Sequence, residues 1–141
     1  MLTKKFFLTL LVVFIVLEAL GFLIHSVLLA SQYESEELKT VFRTMEEMDA
    51  RMWVMWVTDL IWCFFFVFFF AKGYENKGII EGVRYGFYIG IFWGMVNAYQ
   101  SYVVYPLPYS LTFQWFIYSL LMSIIIGVVA ALLFKPKAVA A

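Results

Sequence analysis

The chain has 141 residues, the length of one domain, with 65% of them apolar and only 14% charged, against about 45–50% and about 25% in soluble domains. Ten basic and ten acidic residues cancel, which removes the electrostatic footprint of a nucleic-acid binder. One cysteine and one histidine exclude an intrachain disulfide and a Cys/His zinc cluster.

A mean hydropathy of +0.89 points to an integral membrane protein. Four apolar stretches reach the roughly 20 residues that a helix needs to cross a bilayer: 6–30, 52–71, 82–105 and 110–134. The runs are too long for barrel strands and do not alternate, so helices are expected for all four. Glu18 and His25 interrupt the first. Lys4 and Lys5 precede it as they would a secretory signal. The stretch is nevertheless too long for such a signal, and Leu28 and Ala30 make a poor cleavage pair, so a retained span is expected.

Between the first two spans, Leu38, Val41, Phe42, Met45, Met48 and Met52 recur at three- and four-residue steps. That spacing predicts a short amphipathic helix over about 34–51, lying along the outer surface. Glu34, Glu36, Glu37, Glu46, Glu47 and Asp49 make it acidic. It reads as a connector packed on the bundle or as a docking face. The second span carries Asp59, the phenylalanine block 64–70 and Cys63, a buried thiol in the simplest reading.

In the third span Gly78, Gly82, Gly86, Gly90 and Gly94 stand four apart and Ala98 continues the row. The fourth answers with Ser119, Ser123, Gly127 and Ala131. Small residues at this interval let backbones approach closely. The row turns by about 40° per step on an α-helix, so it is not expected to meet one straight partner throughout. The middle glycines are expected against the fourth helix, the others against the first near Gly21 or against a second subunit. Glu81 and Arg84, three apart, are expected to form a surface pair of little energetic weight. The connection 105–109 is short and uncharged, so the last two helices form a tight hairpin.

Orientation follows from the basic residues at the helix ends. Lys4, Lys5, Lys72, Lys77, Arg84, Lys135 and Lys137 fall on one side, while Lys39, Arg43 and Arg51 share the other with the acidic loop. Both termini are expected in the cytoplasm, in a cell (inner or plasma) membrane. Trp53, Trp56, Tyr102, Tyr105, Tyr109 and Trp115 near the outer ends, and Tyr74, Tyr85 and Tyr88 near the inner ends, read as headgroup belts.

An ionisable group inside a bilayer is a functional candidate. Glu18, His25 and Asp59, with Asn97 and Gln100, all fall at mid-depth or in the outer half, and Gln114 lies further out. Glu18 and His25 share one helix face, as do Asn97 and Gln100. Facing inward together, they would form one polar pocket near the outer side. Such a pocket admits a hydrogen-bonded knot, proton or ion coupling, small-ligand or quinone binding, or a metal site built from two carboxylates and an imidazole. His25 as a haem ligand has no companion signal. No catalytic signature is present: H-E-x-x-H and C-x-x-C are absent, and the glycine spacing is not that of a phosphate loop.

Leu17-Glu18-Ala19-Leu20-Gly21, an acid in the first of four helices with a glycine three later, resembles the small multidrug resistance transporters. That resemblance implies a role for Glu18 in binding the proton and a cationic drug. The overall plan, carried by Gly21-Phe22-Leu23-Ile24-His25-Ser26-Val27-Leu28-Leu29 and Glu81-Gly82-Val83-Arg84-Tyr85-Gly86, is similar to uncharacterised small four-helix bacterial membrane proteins. It implies a compact bundle and names no activity.

The expected fold is an all-α, four-transmembrane-helix bundle forming one membrane domain, 1–141, with both ends inside. The expected role is that of a non-enzymatic accessory or scaffolding subunit, in a homo-oligomer or a larger membrane complex. A proton-coupled transporter or ligand binder using Glu18, Asp59 and His25 is the competing expectation.

Overall fold

The computed structural model describes residues 2–134, and all of their regular structure is helical. Helix α1 (Lys4–Phe22) continues directly into a first π-helical turn, Leu23–Leu28. Two short helices follow, α2 (Ala30–Tyr33) and α3 (Met45–Asp49), and then α4 (Met52–Lys72). Helix α5 (Ile79–Ile89) passes through a second π-turn, Gly90–Met95, into α6 (Val96–Val104), and α7 (Tyr109–Phe134) ends the described chain. Lys135 and Lys137 lie outside the described residues.

Three helices are long and apolar enough to cross a membrane. They are Lys4–Leu28, Met52–Lys72 and Tyr109–Phe134, with mean hydropathies of 2.8, 2.1 and 2.6 over their most apolar stretches. The helical stretch 79–104 is of similar length but more polar, since it carries Glu81, Arg84, Asn97, Gln100 and several tyrosines.

The expected outer helix over 34–51 is not one helix. Residues 35–42 form successive turns, with Leu38 and Lys39 N–H groups both donating to the Ser35 carbonyl. A new helix, α3, then starts at a capping box. Thr44 Oγ1 accepts from Glu47 N–H at 3.3 Å, and the Glu47 carboxylate accepts from Thr44 N–H at 3.1 Å. The apolar periodicity therefore divides at Thr44. Leu38, Val41 and Phe42 turn inward onto Leu29, Leu107 and Leu111, whereas Met45 stays exposed.

Helix α7 is central, packing on α1 on one side and on α5, the second π-turn and α6 on the other; α4 packs mainly on α1. Phe6, Val13, Leu17, Cys63, Phe66, Val67, Phe70, Ile126, Ala130 and Ala131 form the larger core. Near its C-terminal end α4 also reaches α5, where Tyr85 Oη donates to the Phe66 carbonyl at 2.7 Å and stacks edge-on against Phe66 and Phe70.

All four glycines from Gly82 to Gly94 meet α7, further along the row than the turning of an α-helix allows. A Cβ on Gly82 would lie 2.7 Å from the Gly127 carbonyl carbon. One on Gly86 would lie 2.6 Å from Ile124 Cα, one on Gly90 2.9 Å from Leu120 Cα, and one on Gly94 2.8 Å from Ser119 Cβ. The second π-turn lies between Gly90 and Gly94 and takes more residues per turn. It offsets the drift of the row and keeps Gly94 on α7. Gly21, by contrast, has nothing within 4 Å of a Cβ position, so the expected contact there is absent.

Glu81 and Arg84 do not pair with each other as expected. Glu81 is 4% exposed and closes the turn before α5, accepting from Glu75 N–H at 2.6 Å and from Lys77 N–H at 2.8 Å. Asn76 and Gly78 adopt positive φ in this turn, 59° and 74°, which brings the two amides round to one carboxylate. Arg84 reaches Glu75 instead, at 2.7 Å, and Lys77 lies 2.8 Å from the same carboxylate. These two cations pull the Glu75 carboxyl down to about 2.

Candidate functional site

The five polar residues singled out in the sequence do not form one pocket. Helix α4 packs on α1, while α6 packs on α7, so Asp59 and Asn97 belong to different interfaces. Glu18 and Asp59 form the first site, two acids that neighbour each other where α1 meets α4. Both residues are half-buried, and Glu18 Oε1 is fully buried with no donor against it among the described residues. Thr58, the adjacent hydroxyl, turns back to the Val54 and Met55 carbonyls at 3.0 and 2.8 Å and leaves the pair alone. Two ionised carboxylates are both acceptors, so a hydrogen bond between them requires a proton held in common.

His25 stands apart from the acids. In a regular helix it would share a face with Glu18, seven residues earlier, but it sits in the first π-turn, which changes that register. Its Nδ1 lies 2.7 Å from Tyr33 Oη, and the two rings stack with centroids 6.0 Å apart. Trp115 Nε1 donates to the same Tyr33 oxygen at 2.8 Å. Burial pushes the Tyr33 hydroxyl up to about 12, so it stays a phenol with a proton to donate. Indole N–H is a donor only, so Tyr33 Oη accepts from Trp115 while its bond to His25 Nδ1 runs in the direction that the imidazole tautomer sets. Beside it, Gln32 Nε2 donates to Gln114 Oε1 at 2.8 Å, and Gln114 Nε2 returns to Gln32 Oε1 at 3.4 Å. These bonds tie the segment after α1 to the N-terminal part of α7.

On the bundle side of His25 lies a cavity of about 250 Å³, walled by the first π-turn, the second π-turn with α6, and α7. Ile24, His25, Gly94, Asn97, Trp115 and Ser119 are among its lining residues. Gln100 is exposed on α6 and lies outside the lining. Among the described residues no three His, Cys, Asp or Glu side chains come together to hold a metal ion. The two-carboxylate, one-imidazole site is therefore not assembled, because His25 is turned toward Tyr33.

Sequence reasoning missed Tyr33 and read Trp115 as a belt residue. A buried indole and phenol need hydrogen-bond partners, but the π-turn that brings His25 to Tyr33 leaves no mark in residue spacing. No known protein family, curated protein or solved structure matches the chain. Its class rests on the helices themselves: three long apolar helices make it a helical membrane protein.

Proposed function

We propose that the chain is a four-span integral protein of the cell membrane with both termini cytoplasmic. In this reading it serves as a non-enzymatic accessory or scaffolding subunit, docking a helix of a second copy or of a larger complex against the outer half of α4. The observation that carries the reading is the exposure of residues 53–58, every one of them. At about 100° per residue, six residues pass more than once round the helix, so this half of α4 lacks packed neighbours over most of its circumference. Its inner half, by contrast, buries Cys63, Phe66, Val67 and Phe70. Helices in lipid associate through packing and polar contacts rather than hydrophobic burial, and Trp53 and Trp56 offer a large packing face. The basic residues of the sequence support the orientation.

Purification from membranes in mild detergent, with a single cysteine placed at Val57 and oxidised in the bilayer, tests the proposal. A stoichiometric companion or a crosslinked dimer, lost in Trp53→Ala/Trp56→Ala, is the expected result. A monomer with neither, unaffected by the substitutions, overturns it.

A second reading is favoured by the Glu18–Asp59 contact. A proton held between the two carboxyls is exchangeable, and coupling its release to a transported solute would make the chain a proton-coupled carrier. Glu18→Gln would abolish proton-dependent uptake while leaving assembly intact.

A further inference from the structure

We propose that the cavity beside His25 binds a small, flat, lipid-soluble ring compound carrying hydrogen-bonding oxygens on its rim, the chemical class of a quinone head. Four polar groups on its wall make no hydrogen bond among the described residues: Nε2 of His25, the amide of Asn97 and the hydroxyls of Tyr118 and Ser119. In lipid a polar group without a partner is costly even at the surface of the bundle, so an occupant of this cavity is selected for oxygens that meet these groups. The groups come from three elements that wall the cavity, the first π-turn, α6 and α7. That arrangement matches a ring with oxygens on more than one edge.

The rest of the wall suits a flat body. Trp115 and Tyr118 supply aromatic faces, while Gly94 and Ala98 have little or no side chain. The size is also right, since a cavity of roughly 150 Å³ takes up benzene and this one measures about 250 Å³, room for one ring with substituents. His25 and Asn97 are both exposed at the rim, which provides a way in from the surface of the bundle. Tyr33 holds the imidazole at Nδ1, which leaves the Nε2 edge to face the ligand. Both π-turns border the cavity, and such turns in helices are frequent at functional sites.

The test is equilibrium dialysis of the full chain in lipid nanodiscs against empty nanodiscs, with two probes of the same shape, duroquinone and its oxygen-free counterpart durene. The expected result is one saturable duroquinone per chain, with durene at least tenfold weaker. Asn97→Leu alters an exposed side chain with no hydrogen bond to lose, and it should weaken duroquinone at least tenfold. His25→Leu should do the same, whereas Gln100→Leu on the same face of α6 should change nothing. Uptake no greater than that of empty nanodiscs, equal binding of the two probes, or wild-type affinity in Asn97→Leu would each overturn the proposal.

Discussion

Gly82 and Gly127 meet backbone to backbone across α5 and α7, and neither has room for a methyl group. A Cβ on Gly127 would lie 3.1 Å from Gly86 N and closer still to the Gly82 carbonyl oxygen. Backbone cannot move aside as the end of a side chain can, so the two helices would have to part. Gly127→Ala is therefore expected to lose about 1–3 kcal/mol, the usual range for overpacking, and Gly127→Leu more. Gly21→Ala, with open space around it, should be neutral or slightly stabilising, because alanine favours the helix. Reversible unfolding in mixed micelles with increasing dodecyl sulfate measures the three side by side. Equal stability of the Gly127 and Gly21 variants would contradict the close contact.

Glu81 should matter far more than the surface pair its sequence position suggests. Removing its carboxylate in Glu81→Ala strands the N–H groups of Glu75 and Lys77, which donate to it in part-buried hydrogen bonds. Each orphaned donor costs about 1–3 kcal/mol. Glu81→Gln keeps one acceptor oxygen but turns an amide NH₂ toward the other donor, so an intermediate loss is expected. The same micelle unfolding, together with faster hydrogen exchange of these two amides, reads the effect.

What could be read in the sequence follows what the bilayer enforces. Long apolar runs, the glycine row and the intramembrane acids are all visible because lipid penalises the alternatives directly. Spacing and depth put Glu18 and Asp59 in one larger pocket with His25, Asn97 and Gln100; the two acids neighbour each other between α1 and α4, while Asn97 lies at another interface. His25 was assigned to that pocket by a seven-residue spacing that holds only in an unbroken α-helix, and the first π-turn removes it. The same kind of turn keeps Gly94 on α7 where regular spacing would carry it off. Glu81 was misread because Arg84 is its neighbour in sequence, while the turn at 75–78 supplies better partners in space. Residue spacing reports regular helices, and each of these departures occurs where the backbone leaves the regular path.

The Glu75 contact predicts a pH dependence confined to the inner turn. Its carboxyl titrates near 2 rather than the usual 4.5, first through Lys77 and then through Arg84. Between those values the folded chain binds fewer protons than the unfolded one, so lowering the pH favours unfolding. The contribution is complete above about 4.5 and is lost as the pH falls toward 2. The group is exposed, so the effect should be small and weakened by salt. Hydrogen exchange in the 75–78 turn followed from pH 5 to 2 should accelerate, after correction for intrinsic rates. Glu75→Gln should flatten that response, and an identical profile in the variant would remove the ion pairs from consideration.

Tyr33 joins two partners through one oxygen, so Tyr33→Phe should break the outer cluster more than a single lost bond would. The indole N–H of Trp115, in a part-buried bond, and Nδ1 of the exposed His25 both lose their partner, and the indole carries most of the cost, up to about 1–3 kcal/mol when left unpaired. Water entering to replace the hydroxyl would shift the Trp115 emission to the red. His25→Gln tests the other half: its amide NH₂ or oxygen can still meet the phenol, so the emission should move little. Red-shifted emission in both variants, or in neither, would mean that the hydroxyl is not the joint between these rings.

The Glu18–Asp59 pair gives a spectroscopic prediction that does not depend on knowing any solute. A carboxyl that holds a proton against a carboxylate keeps a C(=O)–OH group, whose C=O stretch absorbs separately from ionised carboxylates in the infrared. Exchange into heavy water should shift that band, and slowly, because Glu18 Oε1 is shielded from solvent. Glu18→Gln should delete the band and leave Asp59 as a single acceptor facing an amide donor. Asp59→Asn should do the same from the other side. The double variant should resemble either single one, because the proton belongs to the contact and not to one residue. Additive losses in the double variant would show instead two carboxyls protonated independently, each in its own surroundings. The proton-coupled reading would then lose its physical basis, while docking along α4, which needs only the exposed outer half of that helix, would stand.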